Sequence, residues 1–236
     1  MKILTLIAGI LALLLLLASG PLYQADILGL MNAFFAMRIA LIVGAVAIVL
    51  ALIQVIFMRK NISWPATGVA VLCAAVAVIT PLSMMSKAKS VPPIHNITTD
   101  LINPPKFVAI LALRADAPNP AAYQGEEIAS QQRKAYPELQ TQKYKQPTEQ
   151  VFDAALAAVK NMGLEVVNFD KSTGLIEAYD TTTWFGFVDD MVIRIQSVES
   201  MTILDARSKS RVGISDIGKN AQRLNALIAG VKNNLN

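Results

Sequence analysis

The chain of 236 residues contains one cysteine and one histidine, and its first third is almost without charge. Each scarcity excludes something. Cys73 lies inside an apolar run, so the polar remainder has no disulfide, thiol nucleophile or cysteine-rich zinc site to offer. The segment Leu17-Ala18-Ser19-Gly20 lacks the cysteine that lipoprotein acylation requires. Residues 1–85 carry only Lys2, Asp26, Arg38, Arg59 and Lys60 as charges. The remaining residues hold 17 Lys/Arg against 16 Asp/Glu, a near balance that gives no reason to seek polyanions and argues against nucleic-acid binding.

What fills the first third is apolar sequence in three runs, Ile3–Ser19, Ile39–Met58 and Trp64–Met85. About 20 residues of helix cover a hydrocarbon core of about 30 Å, and in lipid the backbone must satisfy its own hydrogen bonds. These runs are therefore expected to be membrane helices. The first also fits a cleaved signal peptide, with Lys2 ahead of it and small residues at Ala18-Ser19-Gly20; a retained helix is the reading adopted, because the small-residue pattern is loose and Pro21 follows at once. The short basic connection Arg59–Ser63 is expected to stay in the cytoplasm. Lys2 then lies inside, Pro21–Met37 outside, and everything after Met85 outside. Arg38 is expected to snorkel, and Tyr23 and Trp64 to anchor at the interface.

The rest divides in two. Residues 86–146 read as a connector, Ser86–Pro93, and an extended arm rich in proline, packed along residues 147–236. Within the latter, Val151, Phe152, Ala155, Leu156, Val159 and Met162 recur at helical spacing and stop at Gly163. Strand-like segments follow at 164–169, 174–182, 188–197 and 201–212. A last helix, capped by Ser215 or Asp216, carries Ile217, Ala221, Leu224, Leu227, Ile228 and Val231 on one stripe. The expected fold is an α+β domain (helix, four-stranded antiparallel sheet, helix) behind three transmembrane helices. Its connections are too short for parallel crossovers.

Three groups of residues have chemistry to offer. His95, Asp100 and Asp189 are the candidates for acid/base or metal work, although their spacing matches no ligand motif, so no metal or cofactor is expected. Adjacent Asp189 and Asp190 should point to opposite faces of a strand, which prevents both from addressing one atom. Arg207, Lys209 and Arg211 alternate along the last strand and Arg194 shares their face if the strands pair. Open, that face is suited to an anionic envelope ligand or an acidic partner; the plainer alternative pairs these cations with Glu177, Asp189 and Asp205. Trp184 and Phe187 flank Phe185-Gly186 and supply either contact area or a corner of the core.

Several ordered motifs are recognisable together. Ile94-His95-Asn96-Ile97-Thr98-Thr99-Asp100, Asn103-Pro104-Pro105-Lys106-Phe107, Ala135-Tyr136-Pro137, Thr183–Asp190 and Ser210–Gly218 resemble a bacterial family known as domain of unknown function 1499. That resemblance implies envelope residence and a membrane anchor ahead of the domain, and it implies no activity. The family often carries an acid where Asn96 stands and tryptophan where Leu164 stands. The combined expectation is a multi-pass protein of the bacterial inner membrane with a periplasmic domain. That domain would bind a membrane-protein partner or an anionic ligand, for instance as an accessory subunit; a periplasmic hydrolase and a lipid-binding domain are the alternatives.

Overall fold

The structure is a computed structural model and describes residues 1–236. It divides into two units: Met1–Lys87 with Thr183–Gly186, and Ala88–Thr182 with Phe187–Asn236. In the first, α1 (Lys2–Gln24), α2 (Leu30–Phe57) and α3 (Trp64–Ser90) are each long and apolar enough to cross a bilayer. They exceed the apolar runs read from the sequence. The stretch expected to be a connection from Pro21 to Met37 shrinks to Ala25–Gly29, because Leu30–Met37 is apolar enough to extend α2 and Pro21 sits in the last turn of α1. A proline there removes one helical hydrogen bond. The carbonyl it frees, that of Leu17, accepts the indole N–H of Trp184 at 3.3 Å.

Small residues line the helix interfaces. Gly9 lies against the Ala70 backbone and Gly44 against Ala74 and Ala77, while Ala12, Ala40, Ala47 and Ala51 are buried. In lipid, where helix association gains nothing from excluding water, close backbone approach is what holds helices together. One polar contact joins them, from the Gln54 amide to the Thr5 hydroxyl, both buried.

The second unit is a fully antiparallel sheet. The four expected strands are present as β3 (Glu165–Asp170), β4 (Leu175–Thr181), β5 (Val188–Val198) and β6 (Met201–Ser210), in that spatial order. The sheet has six strands, not four, because the arm contributes β1 (Asn96–Thr98) and β2 (Gln142–Tyr144), both paired to β6. Three-residue strands surrounded by proline and glutamine give almost no periodicity, which is why they escape a sequence reading. The arm is also less extended than expected: it contains a single helical turn, α4 (Ile110–Leu113), and a longer helix, α5 (Glu126–Ala135). The β3–β4 turn needs Gly174, whose φ of +67° and contact with the Ile195 carbonyl leave no room for a side chain.

Helices α6 (Thr148–Asn161) and α7 (Lys219–Leu235) cover one face of the sheet. Their stripes (Val151, Phe152, Ala155 and Val159; Ala221, Leu224, Leu227 and Val231) meet Ile176, Ala178, Met191, Ile193, Ile195, Leu204 and Ala206 in a filled apolar core. Gly218, in the left-handed region, caps α7. The cap is therefore neither of the expected residues, Ser215 or Asp216; the Asp216 carboxylate accepts the Gly218 and Asn220 N–H groups from ahead of the cap, and Ile217 stays outside the helix.

Candidate functional site

Alternation along β4, β5 and β6 sends the other half of their side chains to the opposite face. Glu177, Asp190, Arg194, Asp205, Arg207, Lys209 and Arg211 all belong there. The sequence reading left this face open. In the structure the arm covers it: Arg207 is 3% exposed and Lys209 0%. Charges that line a strand invite the inference of a solvated face, but the arm offers backbone carbonyls and stacked rings in place of water.

Each charge has a specific answer in the arm. The Arg207 guanidinium donates from Nε to Asn96 Oδ1 at 2.9 Å and from Nη2 to the Ala121 carbonyl at 2.7 Å. It stacks 4.9 Å from the Phe107 ring centroid, and Arg114 lies 5.2 Å from the same ring. Lys209 Nζ donates to the Ala122 carbonyl at 3.2 Å and to Gln124 Oε1 at 3.4 Å. Neither Arg207 nor Lys209 forms an ion pair with a carboxylate. Burial, then the neighbouring Arg207 and Arg114 cations, lower the Lys209 pKa to about 7, and burial beside Arg114 lowers that of Arg207 to about 10.

The other cations are paired. Asp190, fully buried, is held by Arg211 at 2.7 Å and by Arg114 at 3.1 Å. Arg194 spans Asp100 at 2.9 Å and Asp205 at 3.0 Å. Glu177 meets no cation. Its carboxylate accepts the backbone N–H groups of Val108, Ala109 and Ile110, at 2.7, 2.8 and 3.3 Å, and so caps the turn α4 from the sheet face that the arm covers. Sequence reasoning treated Glu177 as a surface counter-ion and overlooked Arg114. The i, i+3, i+7 spacing of Phe107, Ile110 and Arg114 is the signal that places all three on the inner side of the arm.

His95, Asp100 and Asp189 are each committed elsewhere, and no hydrogen bond joins any two of them. Asp100 accepts the Ile102 and Asn103 N–H groups and pairs with Arg194. Although burial opposes it, the hydrogen bonds from those amides and from Arg194 bring its pKa below the ordinary carboxylate value. Asp189 binds Arg223 at 2.9 Å on the helix side, where Arg223 also reaches Asp180 and Asn220. Asp189 and Asp190 thus do face opposite ways. His95 is half-buried, with Nδ1 3.4 Å from the Ile214 carbonyl and Nε2 3.4 Å from the Gln124 amide; burial lowers its pKa. No group of three metal-binding side chains assembles anywhere in the chain.

The aromatic group splits. Phe185 is buried in the first unit, packed with Tyr23, Phe34 and Trp184, while Phe187 is half-buried in the second. Trp184 is half-buried as well, its indole N–H engaged with Leu17. Among many exposed polar residues the arm also exposes apolar ones, Ile102, Val108, Leu111 at 46% and Leu113 at 51%, and Ile214 in the β6–α7 connection is 81% exposed. The arm and the β6–α7 connection are tied here by Arg211 Nη1 to the Leu113 carbonyl and Asn119 Nδ2 to the Gly213 carbonyl, both 2.8 Å. Two shallow clefts of about 430 and 450 Å³ flank the arm, the first bordered by Lys106 and Arg194, the second by Arg133 and Lys143.

Three candidate membrane spans followed by an α+β domain define a multi-pass membrane protein whose globular part has an ion-paired, arm-covered sheet face. Residues 96–231 match the model of a family described as protein of unknown function, DUF1499, and that match spans more than half of the chain. The chain belongs to the DUF1499 family. A comparison with curated proteins finds no match.

Proposed function

We propose that the α+β domain is a non-catalytic docking module for a membrane-associated protein, in the manner of an accessory subunit, and that it lies in the bacterial periplasm. The observation that carries the reading is the exposure of the apolar side chains Leu111, Leu113 and Ile214, on a domain whose buried charged side chains are engaged in structural bonds. Apolar side chains held out by an anchored arm gain by burial against a complementary protein surface. Sidedness rests on the basic connection Arg59–Asn61, which favours the cytoplasm.

The other readings draw less support. Arg207 and Lys209 lie beneath the arm, so an anionic ligand would find only the cleft-edge cations, Lys106 and Arg194 at one cleft and Arg133 and Lys143 at the other. A hydrolase needs acid and base within hydrogen-bond reach of a common point. His95, Asp100 and Asp189 have separate partners instead. A lipid cavity between sheet and helices would have to open among apolar side chains that are already buried against one another.

A photo-crosslinking residue placed at Leu111 in the full chain tests the docking reading in native membranes. A discrete protein adduct is expected, together with its loss when Leu113 and Ile214 are changed to Ser while amide protection of the sheet is unchanged. Adducts to lipid alone, or protein adducts indifferent to those two changes, would overturn it. A reporter active only in the periplasm, fused after Asn236, tests sidedness separately: activity is expected, and silence rejects the periplasmic placement.

A further inference from the structure

The best-formed polar recess in the helical unit lies at the end where α1 begins and α2 ends. Lys2, Gln54, Met58, Lys60, Asn61 and Ile62 line a cleft of about 490 Å³ there. Met1 completes the lining, and the chemistry is one-sided: the side chains of Lys2 and Lys60 bring two ammonium groups, those of Gln54 and Asn61 two carboxamides, and no carboxylate lines it. The only acid among residues 1–85, Asp26, lies in the Ala25–Gly29 connection that follows the other end of α1. Arg59, immediately beside the cleft, is turned back by its Nε bond to the Val55 carbonyl at 2.9 Å. Gln54 is held from below by Thr5, so the floor of the cleft is polar and fixed. Its rim is apolar, with Met58 and Ile62, and beyond it α2 presents Ile56 and Phe57, 61% and 76% exposed.

Cations without internal counter-ions, above an apolar rim and at the end of membrane-spanning helices, suit an anionic group joined to hydrocarbon. We propose that this cleft binds the phosphate-bearing headgroup of an anionic phospholipid, with Lys2 and Lys60 on the phosphate and Asn61 donating to a headgroup oxygen. The acyl chains then lie along the outward face of α2. Lysines near a membrane surface each favour anionic lipid, and two converging on one cleft convert that diffuse attraction into a site. The inference needs only that the helices cross a bilayer and is independent of the docking role proposed for the domain.

Full-length protein in nanodiscs of phosphatidylcholine with added phosphatidylglycerol, delipidated stepwise and weighed by native mass spectrometry, tests it. One phosphatidylglycerol per chain is expected to survive conditions that strip phosphatidylcholine. Retention should fall about tenfold or more in the double variant Lys2→Gln, Lys60→Gln, and should be unchanged in Lys87→Gln, Lys89→Gln. Equal retention by both variants, or equal loss from both, overturns the site. Inorganic phosphate added in excess should leave the lipid bound. Its displacement would assign the cleft to free phosphate and reject the lipid. Helical circular dichroism of each variant confirms that the loss, where it occurs, is not unfolding.

Discussion

The two faces of the sheet are both buried and are buried by different physics. The face under α6 and α7 is closed by Ile176, Met191, Ile193 and Leu204, whose contribution scales with area and depends little on angle. The face under the arm is closed, beside a small apolar cluster of Phe107, Ile110 and Val192, by Glu177, Asp190, Arg194, Arg207 and Lys209, whose contribution depends on every donor meeting its acceptor. Replacement within the first is graded. Replacement within the second leaves a group stranded, and the cost of a stranded buried charge exceeds what the intact pair contributed. The arm is therefore the element with a sharp threshold for release.

Neighbouring residues on opposite faces give the sharpest contrast. Asp190→Asn keeps volume but leaves Arg114 and Arg211 facing a neutral amide, and about 3–5 kcal/mol should be lost. Met191→Leu, a volume-conserving change one residue on, should cost under about 1.5 kcal/mol. Urea unfolding of the full chain in detergent, followed by amide exchange in β5, compares them directly; equal losses would erase the distinction between the faces. Glu177→Gln comes next. One oxygen and the charge disappear from a cap that serves three amides, at a cost of about 2–3 kcal/mol, with deprotection confined to Val108–Ile110. Deprotection spread evenly through the sheet would mean that Glu177 supports the core and not the arm.

Much of this architecture was legible before any coordinates. Three apolar runs with five charges among 85 residues announce the helices, and alternation in 188–212 announces which residues share a face. Asp189 and Asp190 behave as that alternation requires, the first meeting Arg223 and the second Arg211. What periodicity does not carry is what stands opposite a face. Arg207, Lys209 and Arg211 have the same pattern whether water or the segment 105–124 covers them, and that segment is too rich in proline and alanine to declare its docking. Its hydrogen bonds to the sheet join residues 67 to 102 positions apart, such as Ile110 to Glu177 and Pro105 to Arg207. Such pairs leave no local trace in a sequence.

The imbalance of charge under the arm also gives it a direction of response to pH. In the folded chain Lys209 titrates near 7, against 10.5 for an ordinary lysine. Between those values the unfolded chain holds one more proton, so stability rises with pH there; below about 7 both states are protonated and the penalty is present in full. The groups around Lys209 are Arg207, Arg114, Gln124, the half-buried His95 and, opposite it in the β5–β6 register, Asp190, whose carboxylate is already taken by Arg114 and Arg211. His95, also lowered, adds a rise in stability of the same sign at lower pH. Exchange of amides 99–124 should accordingly slow, after correction for the intrinsic rate, between pH 7 and 9, by about 2 kcal/mol in opening free energy. Lys209→Met should abolish that dependence, and persistence of the slope in Lys209→Met would trace it to another group.

The smallest effect is the most diagnostic. Asn96 sits opposite Lys209 in the β1–β6 register and accepts from Arg207, at the position where the family resemblance leads one to expect an acid. Asn96→Asp places a carboxylate between the two unpaired cations. The Gln124 amide, which now accepts from Asn96 at 2.6 Å, must turn to donate instead. The new charge should raise the Lys209 pKa and make the arm's opening nearly independent of pH from 7 to 9. It should also add about 1 kcal/mol of protection at pH 7, the modest remainder after the carboxylate's own desolvation. If Asn96→Asp instead loosens the arm at every pH, then packing and not charge is what the arm-covered face is short of, and the contrast between the two faces of the sheet has to be redrawn on area alone.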